Sequence, residues 1–390
     1  MRAALTTAPG TFRIYWTALT GLFFDYYDLY LFIYLEKTLA ADFALTGDAS
    51  NWLQFAGLAA VGAGALLFGY LADRFGRGRL LLVVFGVYAV GVAGLSLSWN
   101  FESLLGFRVL ASLALGAEWG ISHRYLAEQV TGVRRYRFAA LLQFSLLGGL
   151  LAALMKRYAL PVCGWRWLFA LSIPPVAVLS LVRWRALTSG DNRGERPAAG
   201  AFWPALGRNL PVFILCLSLA SLTIASGTLN VFYAKELPQS PLYTVLFWGA
   251  VAPGMLGGAA LVRRVGVGRA LLIYATGLGL LSLGCWASHS PNRSLAFALG
   301  LPLLNGIPFG LMGAFFNDVL GDYPTMLSGA AYNLGRICAG TAPWLIGALG
   351  LASGANYFLF TALLAGLIVG LALLIARGPA AGCDPRPNTA

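Results

Sequence analysis

Charge is scarce in this chain. Only 11% of its 390 residues are Asp, Glu, Lys or Arg, against about a quarter in an ordinary soluble domain. Lysine occurs only at Lys37, Lys156 and Lys235, and histidine only twice. A disordered chain is excluded, because such chains are polar and highly charged. The net charge of +12 comes mainly from arginines clustered in short loops between apolar runs, which argues against a nucleic-acid partner. Cys163, Cys216, Cys285, Cys338 and Cys383 stand singly, without a CxxC, so a disulfide scaffold is excluded. No His/Cys cluster has metal-ligand spacing, and no GxxxxGK[ST] loop is present. The expectation is therefore a protein with no metal, no other cofactor and no ATP hydrolysis of its own. Residues 1–10 lack the basic, apolar and cleavable parts of a secretory signal, so the first apolar run is expected to be retained.

Apolar sequence fills the space that charge leaves. The hydrophobic fraction is 58% and the mean hydropathy +0.73. A helix crossing a hydrocarbon core of about 30 Å needs roughly 20 apolar residues. Twelve runs qualify: 13–35, 50–72, 79–98, 101–127, 138–160, 165–184, 208–233, 242–263, 269–288, 294–320, 325–350 and 354–376. They are long and rich in Gly and Leu, without the ten-residue alternation of a β-barrel. The fold class expected is an all-α membrane protein of twelve helices. With the N-terminus inside, cytoplasmic loops and tails collect 18 basic residues and outside loops six, so both termini are expected in the cytoplasm of a bacterial-type inner membrane. The long polar interruption after Arg185 divides the chain into residues 1–190, a cytoplasmic linker 191–207, and residues 208–390. The halves echo each other: GYLADRFGRGRLLL at 69–82 returns as AALVRRVGVGRALL at 259–272. Repeated halves about a midplane site are a transporter architecture.

The segment Gly69-Tyr70-Leu71-Ala72-Asp73-Arg74-Phe75-Gly76-Arg77-Gly78-Arg79 resembles the signature loop of the major facilitator superfamily. Asp25-Tyr26-Tyr27-Asp28-Leu29, Gly116-Ala117-Glu118-Trp119-Gly120 with Glu128, Gly164-Trp165-Arg166 and Tyr323-Pro324-Thr325 resemble stretches of its metabolite:proton symporters. The chain departs from those symporters in having Met326-Leu327-Ser328 where an Arg is usual, and Arg263 where symmetry expects an acid. The resemblance implies the six-plus-six fold and alternating access. It also implies a cytoplasmic gating motif of Gly69, Asp73, Arg74, Gly76, Arg77 and Arg79. Gly69 lets its helix approach a neighbour closely. Asp73 can face the positive end of the helix that starts near Thr325.

Charges at mid-bilayer are costly, so each suggests a site or a partner. Asp25 lies about 18 Å along a helix from Arg13 at 1.5 Å per residue, and Asp28 shares its face. Two carboxylates so close do not both ionise readily in a poorly hydrated cavity, which makes one a proton carrier. The alternative is that both pair with arginines to hold helices together. Glu118 joins them as a proton-coupling candidate. Glu128 reads as a loop-edge partner of Arg134, Arg135 or Arg137, and His123 as structural. Arg108 and Arg336, one from each half, suit a central cavity in which a guanidinium fork clamps a carboxylate. Alternatively, Arg108 neutralises Asp25 or Glu118. Gln143, Asn333 and Tyr26 complete the substrate-binding candidates. Asn230 in the seventh run and Asn305 in the tenth are further polar candidates to finish the pocket, and Tyr30, Trp119 and Tyr332 are aromatic candidates to pack against substrate, with ordinary interhelical hydrogen bonding and packing as the alternatives. Pro253, Pro302 and Pro308 mark expected bends.

A membrane enzyme would need a catalytic constellation at one face, and none is visible. The reading is a monomeric secondary transporter, not an enzyme, whose partners are a small molecule, protons and the bilayer. Its activity is proton-coupled symport of a small organic anion, with a proton-antiport exporter on the same fold as the alternative.

Overall fold

The computed structural model describes residues 11–130, 132–188, 202–234, 241–288, 292–350 and 354–377. Fourteen α-helices run through them: α1 (Thr11–Asp42), α2 (Gly47–Phe75), α3 (Arg77–Leu97), α4 (Phe101–Ala127), α5 (Val133–Leu142), α6 (Gly148–Tyr158), α7 (Leu160–Ala170), α8 (Ile173–Thr188), α9 (Phe202–Ala234), α10 (Pro241–Val265), α11 (Val267–Ala287), α12 (Asn292–Val319), α13 (Pro324–Ala348) and α14 (Gly354–Arg377). Starts are written in the sequence. Thr46 Oγ1 accepts the Ala49 N–H at 3.3 Å to open α2. Asn100 and Ser103 form a reciprocal capping box at α4.

Ten spans among the described residues are long and apolar enough to cross a membrane. α1 and α13, at 32 and 25 residues, are long enough but are not among these ten. Asp25, Asp28 and a run of tyrosines lower the hydropathy of α1, as Gly, Thr, Asn333 and Arg336 lower that of α13.

Two of the twelve expected runs are not continuous α-helix. The run at 138–160 tightens into a 3-10 turn at Gln143–Leu147 between α5 and α6. The run at 165–184 breaks at Leu171 and Ser172 between α7 and α8. Pro174 and Pro175 follow at once, and neither has an N–H to donate back across the break. Pro253, Pro302 and Pro308, expected to mark bends, lie inside helices that run on without a break. Residues 191–201 of the expected linker lie outside the described residues, and residues 202–207 already belong to α9.

Two compact units emerge. The first comprises Met1–Gln129, Phe144–Leu206 and Asp322–Asn333, the second Val130–Gln143, Gly207–Gly321 and Leu334–Ala390. Two short segments thus cross the division expected from sequence: α5 joins the second unit, where it packs on α10 and α12, and the opening turns of α13 join the first. Within the first unit α4 packs on α1, α2 and α3, and α1 on α6. Small residues permit this closeness. A Cβ at Gly116 would overlap the carbonyl of Val61, and one at Gly148 the carbonyl of Phe23.

Candidate functional site

In the first unit, Asp25, Asp28, Arg108 and Glu118 are all buried, each no more than 3% exposed. Each sits in a defined notch. The Arg108 guanidinium lies over the Phe32 ring at 3.9 Å from its centroid. It also fills the space beside Gly57, where a Cβ would come within 2.7 Å of Nε. The Glu118 carboxyl fills the corresponding space beside Gly21 on α1, one turn before Asp25. There the Asp25 and Glu118 carboxyl groups come within hydrogen-bonding reach of each other.

Asp28 has different partners from Asp25, although the two share a helix face. Ser172 Oγ donates to Asp28 Oδ1 at 3.0 Å, and the Tyr88 hydroxyl donates to Oδ2. The break between α7 and α8 is what delivers Ser172. Arg108 makes no ion pair among the described residues, and its Nε has no hydrogen-bond partner there. Neither Asp25 nor Glu118 forms an ion pair with it among the described residues, and the acid that acts on it electrostatically is Asp28.

A stack of rings joins three helices of this unit. Tyr26 and Tyr332 share a hydroxyl–hydroxyl hydrogen bond of 3.0 Å. Tyr332 lies parallel to Trp119 at 3.9 Å, and Trp119 stacks on His123 at 4.2 Å. His123 Nδ1 lies 2.9 Å from the Trp119 carbonyl. Asn333 Nδ2 donates to the carbonyls of Gly116 and Gly329 at 2.9 and 3.0 Å.

The signature loop closes the same unit. Asp73 accepts the N–H groups of Thr325 and Met326 at 3.3 and 2.9 Å. Its carboxylate thus meets the positive end of α13, whose Pro324 occupies the first helical position where no N–H is needed. Arg77 donates to Asp73 at 2.8 Å and to Thr325 Oγ1 at 3.2 Å. Gly69 admits Met326, whose Cα would lie 2.7 Å from a Cβ there. Gly76 turns the chain with φ of 101°. Arg74 points outward to Tyr70 at 3.5 Å, and Arg79 is exposed. Tyr323 holds the uncommon φ of 47° while stacking on Tyr70 at 5.9 Å.

Glu128 corrects an expectation. Its partners are Arg77 at 3.4 Å and Arg124 at 3.2 Å, not Arg134, Arg135 or Arg137. Arg135 lies on α5, which packs in the second unit, and there it pairs with Asp318. Tyr136 donates to the same carboxylate at 3.0 Å. Burial raises the Glu128 carboxyl above the ordinary range, with Arg77 and Arg124 opposing.

Elsewhere in the second unit, Ser226 and Tyr274 both donate to Asn305 Oδ1, at 2.9 and 3.2 Å. Gln143 is fully buried, and neither amide atom has a partner among the described residues. Arg336 is half-buried on α13. The Asn230 side chain lies outside the described residues. Among the described residues, no three His, Cys, Asp or Glu are grouped to hold a metal ion.

Sequence reasoning missed Tyr88, Ser172, Gly21, Gly57 and Asp318. The Ser172-Ile173-Pro174-Pro175 string signalled the break that carries Ser172. The others depend on which helices touch.

The chain belongs to the Major Facilitator Superfamily, whose family model matches residues 18–348. It is a multi-pass membrane transporter, not an enzyme. It is 30% identical to the niacin transporter of Acinetobacter baylyi over 174 residues, 44% of this chain and 40% of that protein. It is 26% identical to the cis,cis-muconate transport protein of the same organism, across 87% of each chain. Its fold matches the proton:xylose symporter XylE with a TM-score of 0.71 at 18% identity, covering 95% of this chain and 96% of that one.

Proposed function

We propose that this protein imports a small organic carboxylate with protons, by alternating access, as a monomer in a bacterial-type inner membrane with both termini cytoplasmic. The observation that carries the reading is Arg108: a buried guanidinium on an aromatic ring, with no carboxylate of the described chain paired to it. A buried cation is costly unless paired, and its planar fork matches a carboxylate. Arg336, Gln143, Asn333 and Tyr26 are the accompanying substrate contacts. The buried amide of Gln143 supports this, because neither of its atoms has a hydrogen-bond partner among the described residues. Asp25, Asp28 and Glu118 carry the coupling, and Asp73 with Arg77 closes the cytoplasmic gate. Niacin and cis,cis-muconate, named for two relatives, are both carboxylates.

The test is uptake into proteoliposomes of nicotinate, muconate, amino acids, betaines and cationic dyes, with and without an inward proton gradient. Acid-driven carboxylate uptake is expected. Dye extrusion without carboxylate uptake would overturn the reading in favour of an exporter.

A further inference from the structure

The acids of α1 are unlike each other. Asp28 is held by two hydroxyl donors, Tyr88 of α3 and Ser172, and Arg108 acts on it electrostatically. Each of its oxygens thus already has a donor from the protein, so it needs no proton shared with a second carboxylate. Around Glu118 the surroundings are different. From α1 it meets Gly21 and Asp25, and from α3 it meets Phe85, whose ring would lie 2.9 Å from a Cβ at Gly21. It has no ion pair among the described residues, and Oε1 finds no donor there. On its own helix, Arg108 is engaged over Phe32 and His123 is turned to the Trp119 carbonyl. From α13, Tyr332 is turned to Tyr26 and Asn333 to Gly116 and Gly329. From α6, Gly148 presents only backbone to α1.

Two carboxylates in contact offer four acceptor oxygens and no donor, so a proton between them is the simplest way to satisfy the pair. We propose that Asp25 and Glu118 hold one proton between them, that Gly21 is the notch that lets them meet, and that this shared proton is the coupling proton. It rests on the symport reading above for its last clause. The pair carries one negative charge when loaded. It releases the proton only when water reaches it to solvate the second charge, and it regains one proton per cycle.

The experiment is a pH titration of the protonated-carboxyl infrared band, on the purified protein in lipid nanodiscs. The wild type should show a band worth one proton. Glu118→Gln should abolish it, because the amide then donates to Asp25, and Asp25→Asn should do the same. Asp28→Asn should leave in place the component that Glu118→Gln removes. Gly21→Ala keeps every carboxyl yet pushes the pair apart, so it should shift or split the band. Should Glu118→Gln not fold, Glu118→Asp reads the same contact through a shifted band. A band unchanged in Glu118→Gln and Gly21→Ala, or lost in Asp28→Asn alone, overturns the proposal. In vesicles, Glu118→Gln should lose pH-driven accumulation of the carboxylates in the uptake panel while keeping their exchange. The infrared titration needs no substrate. A titrating band that vanishes as described, in a protein that takes up no carboxylate, would keep the shared proton and remove the symport reading.

Discussion

The helix pairs α2–α4 and α10–α12 repeat the same contacts at a fixed distance of 190 residues. Gly64 lies against the carbonyl of Leu113 and Gly254 against that of Leu303. Gly116 lies against Val61 and Gly306 against Val251. Gly76 and Gly266 turn the chain at the same place with φ of 101° and 84°. The chemistry laid over this scaffold differs. Arg108, Glu118 and His123 of α4 correspond to Ala298, Pro308 and Gly313 of α12, and buried Asp73 corresponds to exposed Arg263. A tyrosine on the third helix of each half marks the contrast: Tyr88 donates to a carboxylate, while Tyr274 joins a neutral cluster of Ser226 and Asn305. Backbone-to-backbone packing leaves no freedom at the glycines, whereas a side chain in a bundle interior can change from ionic to neutral and still be satisfied. The buried acids and Arg108 are written on the first copy, and Arg336 on the second.

The scaffold side of the comparison can be broken most severely at the glycines. Gly116→Val and Gly306→Val each place side-chain atoms on a carbonyl oxygen, and overpacking costs typically about 1–3 kcal/mol. Both should lower the unfolding midpoint of purified protein by similar amounts. A loss at only one position would show that the two helix pairs are not energetically equivalent. On the chemical side, Arg108→Lys replaces a fork with a point charge. Its expected cost is about 1–3 kcal/mol, the scale of a hydrogen bond to a charged group. That is about a 5–150-fold loss of carboxylate affinity at about 1.4 kcal/mol per decade, read by counterflow. Normal affinity would make Arg108 structural. Ala298→Ser, at the corresponding place on α12, should leave affinity unchanged.

Smaller effects are expected at the loop. Asp73→Asn weakens the charge at the start of α13, an interaction of about 0.3–2 kcal/mol. A cysteine placed at Ser328 should then label faster, while Arg263→Gln should change nothing, because Arg263 is exposed. Equal labelling in all three proteins would remove Asp73 from the gate.

Much of this is legible in the sequence. The apolar runs located the helices because a membrane demands length and hydropathy of each span separately, and the loop at 69–82 located Asp73 because its partners are backbone N–H groups at a helix start. The pairing of side chains was not legible. Asp25 and Asp28 look equivalent at i and i+3, yet one meets Glu118 and the other Tyr88 and Ser172. That choice depends on which helices lie against α1, and on a break set by Pro174. The placement of α5 was also hidden, so Arg135 was offered to Glu128 when its acid is Asp318.

Glu128 and Asp318 are the one acidic pair that the repeat keeps, and Glu128 gives the smallest test. Its carboxyl is raised by burial more than Arg77 and Arg124 lower it. In the folded protein it therefore binds a proton at a pH where the unfolded chain has released it. Below the ordinary carboxylate range both states are protonated, and this difference is fully present as stability. As pH rises through that range towards the raised value, the unfolded state sheds its proton first and stability falls. Glu128→Gln has nothing to titrate at this position. The unfolding midpoint of the wild type should therefore decline relative to Glu128→Gln across that window, by an amount worth less than about 1 kcal/mol, since the site is partly exposed. Thermal scans of both proteins in parallel buffers measure the difference. A wild type that gains on the variant as pH rises would mean that Arg77 and Arg124, rather than burial, dominate at this end of α4.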